Sequence, residues 1–280
     1  MPVAKPSGPT SHDVVDAVRR ALDVRRVGHL GTLDPDAAGL LVVVVGRATR
    51  LARFAAGWTK TYEGAMRLGV VTTTDDRVGR VSAESAGWTT IREGEVAAAF
   101  ATFRGVYDQR PPDYSAVKVD GERAYRRARR GEAVALAPRP VEVRELELTG
   151  FDPPIVRFRA VVGAGTYLRS LARDVGEALG CGAHLAELCR TAVGPFRLRD
   201  AVAPGDVRPV DLRDAAVLVA DLPRRELTPD EETAVAHGRM VPGQGTAPGV
   251  WVALFAGGRL VGVAEPEEDG LRPRVVLAEA

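Results

Sequence analysis

Cysteine, lysine and aromatic residues are all scarce in this chain of 280 residues, and no long apolar run is present. The two cysteines, Cys181 and Cys189, form neither a CxxC pair nor part of a four-ligand cluster, so they read as idle free thiols. The four histidines, His12, His29, His184 and His237, show no HxxxH or HExxH spacing, and no metal site is expected. The longest apolar run, Ala37 to Val45, is well short of a bilayer span, and Met1 to Lys5 lacks the apolar stretch of a secretory signal. The expectation is a cytoplasmic protein with no membrane partner. Net charge is only +1, so the total does not announce a polyanion binder. What is abundant is apolar material: hydrophobic residues make up 45% of the chain, enough for one large domain or two.

Charge is uneven along the chain. Arg123, Arg126, Arg127, Arg129, Arg130 and Arg139 cluster with Glu132 as their one acidic neighbour, whereas Glu265, Glu267, Glu268 and Asp269 make the C-terminal region acidic. Only three of the 38 basic residues are lysines, Lys5, Lys60 and Lys118, which makes those positions stand out.

Periodicity predicts the main elements. Thr10 or Ser11 caps a helix carrying Val14, Val15, Val18 and Leu22. Gly28 to Gly39 reads as a glycine-punctuated loop, followed by a strand over Leu40 to Val45 that is apolar on both faces. Ala48 to Ala56 reads as helix, Lys60 to Leu68 as a strand with Tyr62, Met66 and Leu68 on one face, and Glu93 to Phe103 as a helix closed by Gly105. Val141 to Leu148 and Val156 to Ala160 alternate apolar and charged residues, as strands with one wet face do. Tyr167 to Leu179 is a helix ended by Gly180. Because strands and helices do not alternate strictly, the expected class is α+β, a mixed and largely antiparallel sheet with packed helices. From about Leu222 turns multiply, and Gly257-Gly258 joins two apolar runs in a hairpin. The expected division is residues 1–221 and a small β-rich unit over 222–280.

Three segments carry candidate chemistry. In Gly28-His29-Leu30-Gly31-Thr32-Leu33-Asp34-Pro35 a carboxylate sits between a glycine turn and a buried strand, as a turn residue or as a catalytic group. The Gly-Lys-Ser/Thr ending of a phosphate loop is missing there. In Gly165-Thr166-Tyr167-Leu168-Arg169, an arginine near the positive end of a helix is either a solvated surface residue or the partner of a specific anion. Arg110-Pro111-Pro112-Asp113-Tyr114-Ser115-Ala116-Val117-Lys118 mixes basic and aromatic groups in a stiff segment, which suits nucleic acid or a rigid surface loop.

Taken in order, these pieces resemble the TruB-type tRNA pseudouridine synthases. The matching motifs are Lys5-Pro6-x-Gly8-x-Thr10-Ser11, Gly28-His29-x-Gly31-Thr32-Leu33-Asp34-Pro35-x-Ala37-x-Gly39, and Lys60-x-Tyr62 before Leu68-Gly69. Pro112-x-Tyr114-Ser115-Ala116-x-Lys118, Gly165-Thr166-Tyr167-x-Arg169, and Gly180-Cys181-Gly182-Ala183-His184 leading to Leu188 and Gly194-Pro195-Phe196 complete the series. The resemblance covers about residues 5 to 200 and implies the pseudouridine synthase fold, a PUA-like RNA-binding unit after it, and isomerisation of uridine 55 in the T-arm of tRNA.

Site roles follow from the resemblance position by position. Asp34 would be the nucleophile, Arg169 its ion-pair partner, and Tyr62 the aromatic that stacks on a flipped uracil and handles a proton. His29, Tyr167 and Leu188 would contact the RNA or complete the base pocket, while Lys5, Tyr114 and Lys118 would contact phosphate or support the sheet. The reaction needs no cofactor, and tRNA is the expected partner of a single chain with no obligate protein subunit.

Several positions depart from the family pattern: Ala4, Leu30, Asp36, Thr73 and Cys189 stand where aspartate, threonine, leucine, aspartate and arginine are usual. Asp36 puts a second carboxylate near Asp34, the arrangement a glycosidase-like hydrolase would need. An RNA chaperone that refolds the tRNA elbow is the non-enzymatic alternative.

Overall fold

Strand β1 (Pro2–Lys5) leads into α1 (Ser11–Leu22), whose start is a reciprocal cap: Thr10 Oγ1 accepts the Asp13 N–H at 3.1 Å and Asp13 Oδ2 accepts the Thr10 N–H at 2.8 Å. The computed structural model describes residues 1–115, 117–119, 122–124, 127, 130, 132, 136–243 and 249–277. Val14, Val15 and Val18 of α1 pack on Val3, Leu41 and Val43. The opposite face of that strand, through Leu40, Val42 and Val44, packs against the C-terminal part of the chain. Two covered faces explain why β3 (Ala38–Val45) is apolar at successive positions.

The expected loop from Gly28 to Gly39 begins as strand: β2 (Val27–His29) pairs antiparallel with Val43–Val45. Three residues are too few for an alternation to show, so the strand is decided by the free edge of β3. Then come a 3-10 helix (Gly46–Ala55), β4 (Lys60–Leu68), and the small hairpin of β5 (Val70–Thr72) and β6 (Val81–Glu84). Helix α2 (Glu93–Thr102) precedes β7 (Gly105–Gln109) and the short pair β8 (Lys118–Val119) and β9 (Glu122–Arg123). Strands β10 (Arg139–Asp152) and β11 (Ile155–Val162), helix α3 (Leu168–Ala178), β12 (Ala183–Val193) and β13 (Phe196–Arg197) complete the main body.

The main sheet runs β1-β3-β12-β4-β11-β10-β7, with β2 on β3 and β13 on β12. Strand β12 lies parallel to β3 and antiparallel to β4, which confirms the mixed sheet. Its inner face, with Met66, Leu146, Phe158 and Val162, packs under α2 and α3 through Phe100, Leu171 and Val175. A bulge between Val143 and Glu145 shifts the alternation of β10, so that Val141, Val143 and Leu146 all point inward. The outer face is wet, as expected, and Arg159 is paired there with Glu145 and Glu147.

After β14 (Arg224–Glu226) and α4 (Pro229–Ala236), strands β15 (Val252–Ala256), β16 (Arg259–Glu267) and β17 (Gly270–Val276) form a second sheet, in the order β14-β15-β16-β17. Gly257 and Gly258 have φ of 55° and 77°, the left-handed pair a two-residue hairpin needs. This sheet shares a core with the main body: Ala253, Phe255, Leu260 and Val263 join Leu40, Val42, Leu51 and Phe196. Arg50 also donates to the carbonyls of Val276 and Arg274, and the Arg53 guanidinium lies 4.1 Å from the Trp251 ring centre.

In the arginine-rich segment Ala124 and Arg127 are helical. Arg123 belongs to β9, and the Arg130 guanidinium is held by Glu122 and Glu132, with Arg127 also on Glu132. Glu122 adds to the one acid counted as opposing these charges. Arg126 and Arg129 lie outside the described residues.

Candidate active site

The loop from Gly31 to Ala37 has every carbonyl engaged. Arg190 donates to Gly31 and Thr32 through Nη2 and Nη1 at 2.9 and 3.3 Å, and Ser11 Oγ donates to Leu33 at 2.9 Å. The Asp34 carbonyl accepts the Ala37 N–H, Ser7 Oγ donates to Asp36, and the Lys5 ammonium donates to Pro35 and Ala37 at 3.0 and 2.6 Å. Backbone fixed this completely leaves one free direction, that of the Asp34 side chain, which is 45% exposed. Gly39 closes the loop with φ 111°, and a Cβ there would stand 2.4 Å from the Arg190 carbonyl oxygen.

Arg169 meets that side chain. Its Nε donates to Asp34 Oδ2 at 2.8 Å and Nη2 reaches Oδ1 at 3.4 Å. Nη1 donates to the Thr74 carbonyl and Nη2 to the Tyr114 carbonyl, each at 3.0 Å, and Asp76 Oδ2 stands 3.7 Å from Nε. Only 7% of the Arg169 side chain is exposed, and the guanidinium is aimed by three chain segments at once, those of Asp34, Thr74–Asp76 and Tyr114. This anionic partner explains an arginine in the first turn of α3, where the helix dipole alone disfavours it.

The other sequence-derived candidates fall around this pair or beneath it. Leu188 of β12 lines the cleft at Asp34 together with Asp36, Ala37, Asp76, Leu185 and Glu187. Tyr62 is buried in the core cluster that also holds Leu33, Ala37 and Leu168, and the Arg190 guanidinium is 6.0 Å from its ring centre. His29 stands at the end of β2, half-buried; burial and then the Arg190 charge lower its pKa, so the imidazole is neutral at pH 7. Tyr167 immediately precedes α3 and packs on Val117, Ala124 and Leu136. Tyr114 contributes its carbonyl to Arg169. The Lys118 side chain lies outside the described residues.

Lys5 departs from a phosphate-contacting role. It is 2% exposed and spends its three hydrogens on carbonyls of Pro6, Pro35 and Ala37, while burial lowers its pKa. It supports the Asp34 loop from below. Asp36, the second carboxylate, lines the same cleft as Asp34 but is bound by Arg77 Nη2 at 2.5 Å, and Asp34 by Arg169, so each carboxylate has its own arginine partner. Cys189 lines the neighbouring cavity, where burial and Glu63 raise its thiol pKa and keep it protonated.

Sequence reasoning missed Arg190 and Asp76. Arg190 is 1% exposed, with its charge on three carbonyls, those of Leu40, Gly31 and Thr32. Its position inside a strand, directly after the Leu188-Cys189 pair, was the available signal.

The room at Asp34 is about 20 Å³, close to that of one water molecule. It adjoins a cavity of about 500 Å³ on the wet face of the sheet, and the two share Asp36, Glu187 and Leu188. Among the described residues, no group of three or more His, Cys, Asp or Glu is placed to hold a metal ion, and no helix is long and apolar enough to cross a membrane.

Comparison with known proteins places these features in a family. The family model described as the TruB family pseudouridylate synthase N-terminal domain matches residues 19–168. The tRNA pseudouridylate synthase B C-terminal domain matches residues 169–229, and the tRNA pseudouridine synthase II C-terminal model matches 222–278. The tRNA pseudouridine synthase B of Thermobifida fusca (strain YX) is 46% identical over 292 residues, covering 99% of this chain and 97% of the relative. That of Parasynechococcus marenigrum (strain WH8102) is 44% identical over 283 residues, covering 98% and 96%. Among solved structures, a chain from a crystal structure of a Cbf5-Nop10-Gar1 complex superposes with a TM-score of 0.75 at 27% identity, covering 99% of this chain and 84% of that one.

Proposed function

The chain belongs to the TruB family of pseudouridylate synthases, and we propose on that premise that it isomerises uridine 55 in the T-arm of tRNA, with Asp34 as nucleophile. It is a tRNA pseudouridine synthase, like the curated relatives. The reaction breaks the bond between N1 of the base and C1′ of the ribose, turns the base, and joins C5 to C1′; the C5 proton leaves and N1 gains one. Asp34 adds to the uridine and is expelled when the new carbon–carbon bond has formed. Arg169 aims the carboxylate, and Tyr62 stacks on the flipped uracil and takes part in the proton step. Leu188 and Tyr167 enclose the base, while His29 lies against the RNA.

The observation that carries this reading is the two-point contact of a buried arginine with a carboxylate that stays half-open on a fully bonded loop. A preorganised anion beside a cleft suits nucleophilic catalysis better than a structural ion pair does. The protein acts as a single chain in the cytoplasm; among the described residues its exposed large apolar side chains are divided among four stretches of sequence, at Val78 and Val81, Val106, Val210 and Leu212, and Val250, which supports the single chain. Residues 222–280 serve as an RNA-binding appendage docked on the catalytic body.

Tritium release from C5-labelled uridine in an unmodified tRNA transcript tests the assignment. Wild type releases tritium, and Asp34→Asn binds the RNA without releasing it. Release by the variant at the wild-type rate removes Asp34 from the chemistry; failure of wild type to release it overturns the synthase reading on that RNA.

A further inference from the structure

The end of β7 and the start of α3 are joined by a side chain that the proposed chemistry leaves unused. Gln109, the last residue of β7, is 1% exposed. Its Oε1 accepts the Tyr167 N–H at 2.8 Å, and its Nε2 donates to the Tyr167 carbonyl at 3.2 Å. Tyr167 is extended, with φ −103° and ψ 114°, so its N–H and C=O point the same way. One carboxamide therefore pairs with both, as the backbone of a neighbouring strand would. The second Nε2 hydrogen goes to the Tyr107 hydroxyl at 2.6 Å, and that hydroxyl lies 3.5 Å from Asp174 Oδ2. Burial, with the Asp174 charge, raises the Tyr107 phenol well above its usual pKa and holds it neutral in this chain of bonds.

Tyr167 stands directly before α3 and offers the helix no side-chain cap. Arg169 follows two residues later, so any tilt of the first turn moves its guanidinium against Asp34. Ser170 Oγ and Arg173 Nη2 both donate to the Arg110 carbonyl and tether the helix at a single acceptor. Arg173 Nη1 is also held by Asp75 Oδ2 at 2.9 Å, and the clamp at Tyr167 adds a fixed point at the very start of the helix, ahead of Arg169.

We propose that Gln109 is a positioning residue for the isomerisation, clamping the Tyr167 backbone so that Tyr167 and Arg169 are presented to the uridine and to Asp34 in register. This rests on the reading of Asp34 and Arg169 as the reacting pair. Its contribution lies in the chemical step, because Gln109 is buried away from RNA and a misplacement of about 1 Å costs on the order of a hundredfold in rate.

The test compares wild type, Gln109→Leu and Gln109→Glu by single-turnover tritium release and by tRNA binding, with thermal melting to verify the fold. In Gln109→Leu the single-turnover rate falls by roughly ten- to a hundredfold, while tRNA affinity changes by less than about threefold. Gln109→Glu keeps shape and acceptor. Its neutral acid still donates, whereas its carboxylate repels the Tyr167 carbonyl, so its rate relative to wild type climbs as pH falls from about 8 to about 6. A purely structural role would not produce that pH-dependent rescue. Wild-type rates in folded Gln109→Leu, a loss confined to affinity, or a flat pH ratio for a slowed Gln109→Glu each overturn the proposal. If Gln109→Leu does not fold, the pH ratio of Gln109→Glu decides. Absence of tritium release by wild type itself points instead to failure of the synthase reading.

Discussion

Arg169 and Asp34, 135 positions apart in the chain, meet through a 2.8 Å Nε–Oδ2 hydrogen bond, with Nη2 at 3.4 Å from the other oxygen. The arginine is buried and its partner half-open, so the pair is stiff on one side and accessible on the other. That asymmetry is what a nucleophile needs: fixed direction with room for a substrate to approach.

Geometry, as well as charge, matters in this pair. Arg169→Lys keeps the charge but has one nitrogen where the guanidinium uses three, on Asp34, Thr74 and Tyr114. Single-turnover pseudouridine formation falls by about two to three orders of magnitude, with tRNA binding retained. A lysine variant as fast as wild type shows that only the positive charge counts.

The buried cation under the loop predicts a stability effect. Arg190→Met leaves the buried carbonyl of Leu40 and the part-buried bonds at Gly31 and Thr32 without their guanidinium donor, and water reaches the two loop carbonyls more readily than the one in the sheet. With about 1–3 kcal/mol for each unsatisfied group, partly relieved by relaxation, urea unfolding should show a loss of roughly 3 kcal/mol. Activity drops with it, because the freed carbonyls belong to the loop that holds Asp34. An unchanged urea midpoint contradicts this account.

His29 confers a pH dependence whose sign follows from its environment. Its folded-state pKa is below 6.5 through burial and the nearby Arg190 charge, so the unfolded chain binds the proton more readily. The His29 contribution to stability is therefore fully present above about pH 6.5 and is lost as pH falls through the lowered value. Urea midpoints measured from about pH 7.5 down to about pH 5 decline more steeply for wild type than for His29→Gln. Parallel curves for the two proteins refute the assignment.

Helix α1, strand β4 and the Gly257-Gly258 hairpin are legible in the amino-acid sequence, because caps, alternation and left-handed glycines act over a few residues. Strand β2 is not: its three residues carry no period, and only the edge of β3 makes them a strand. Asp34, Tyr62 and Arg169 are legible as members of a motif series, and Asp34 and Arg169 share one cleft. Lys5 is legible as unusual but not as a buried support, since burial is a property of what packs over a residue.

By itself the sequence determined where the apolar faces lie, which turns are possible, and which residue types are available for chemistry. Tertiary structure decided which of them meet. Arg190 reaches Gly31 and Thr32 because β12 lies parallel to β3, with Arg190 beside Gly39 in the register. Arg169 finds Asp34 because α3 packs on the inner face of the same sheet. Hydrogen bonds and ion pairs fall off within a few ångströms, so partners 135 or 159 residues apart leave no mark in local composition.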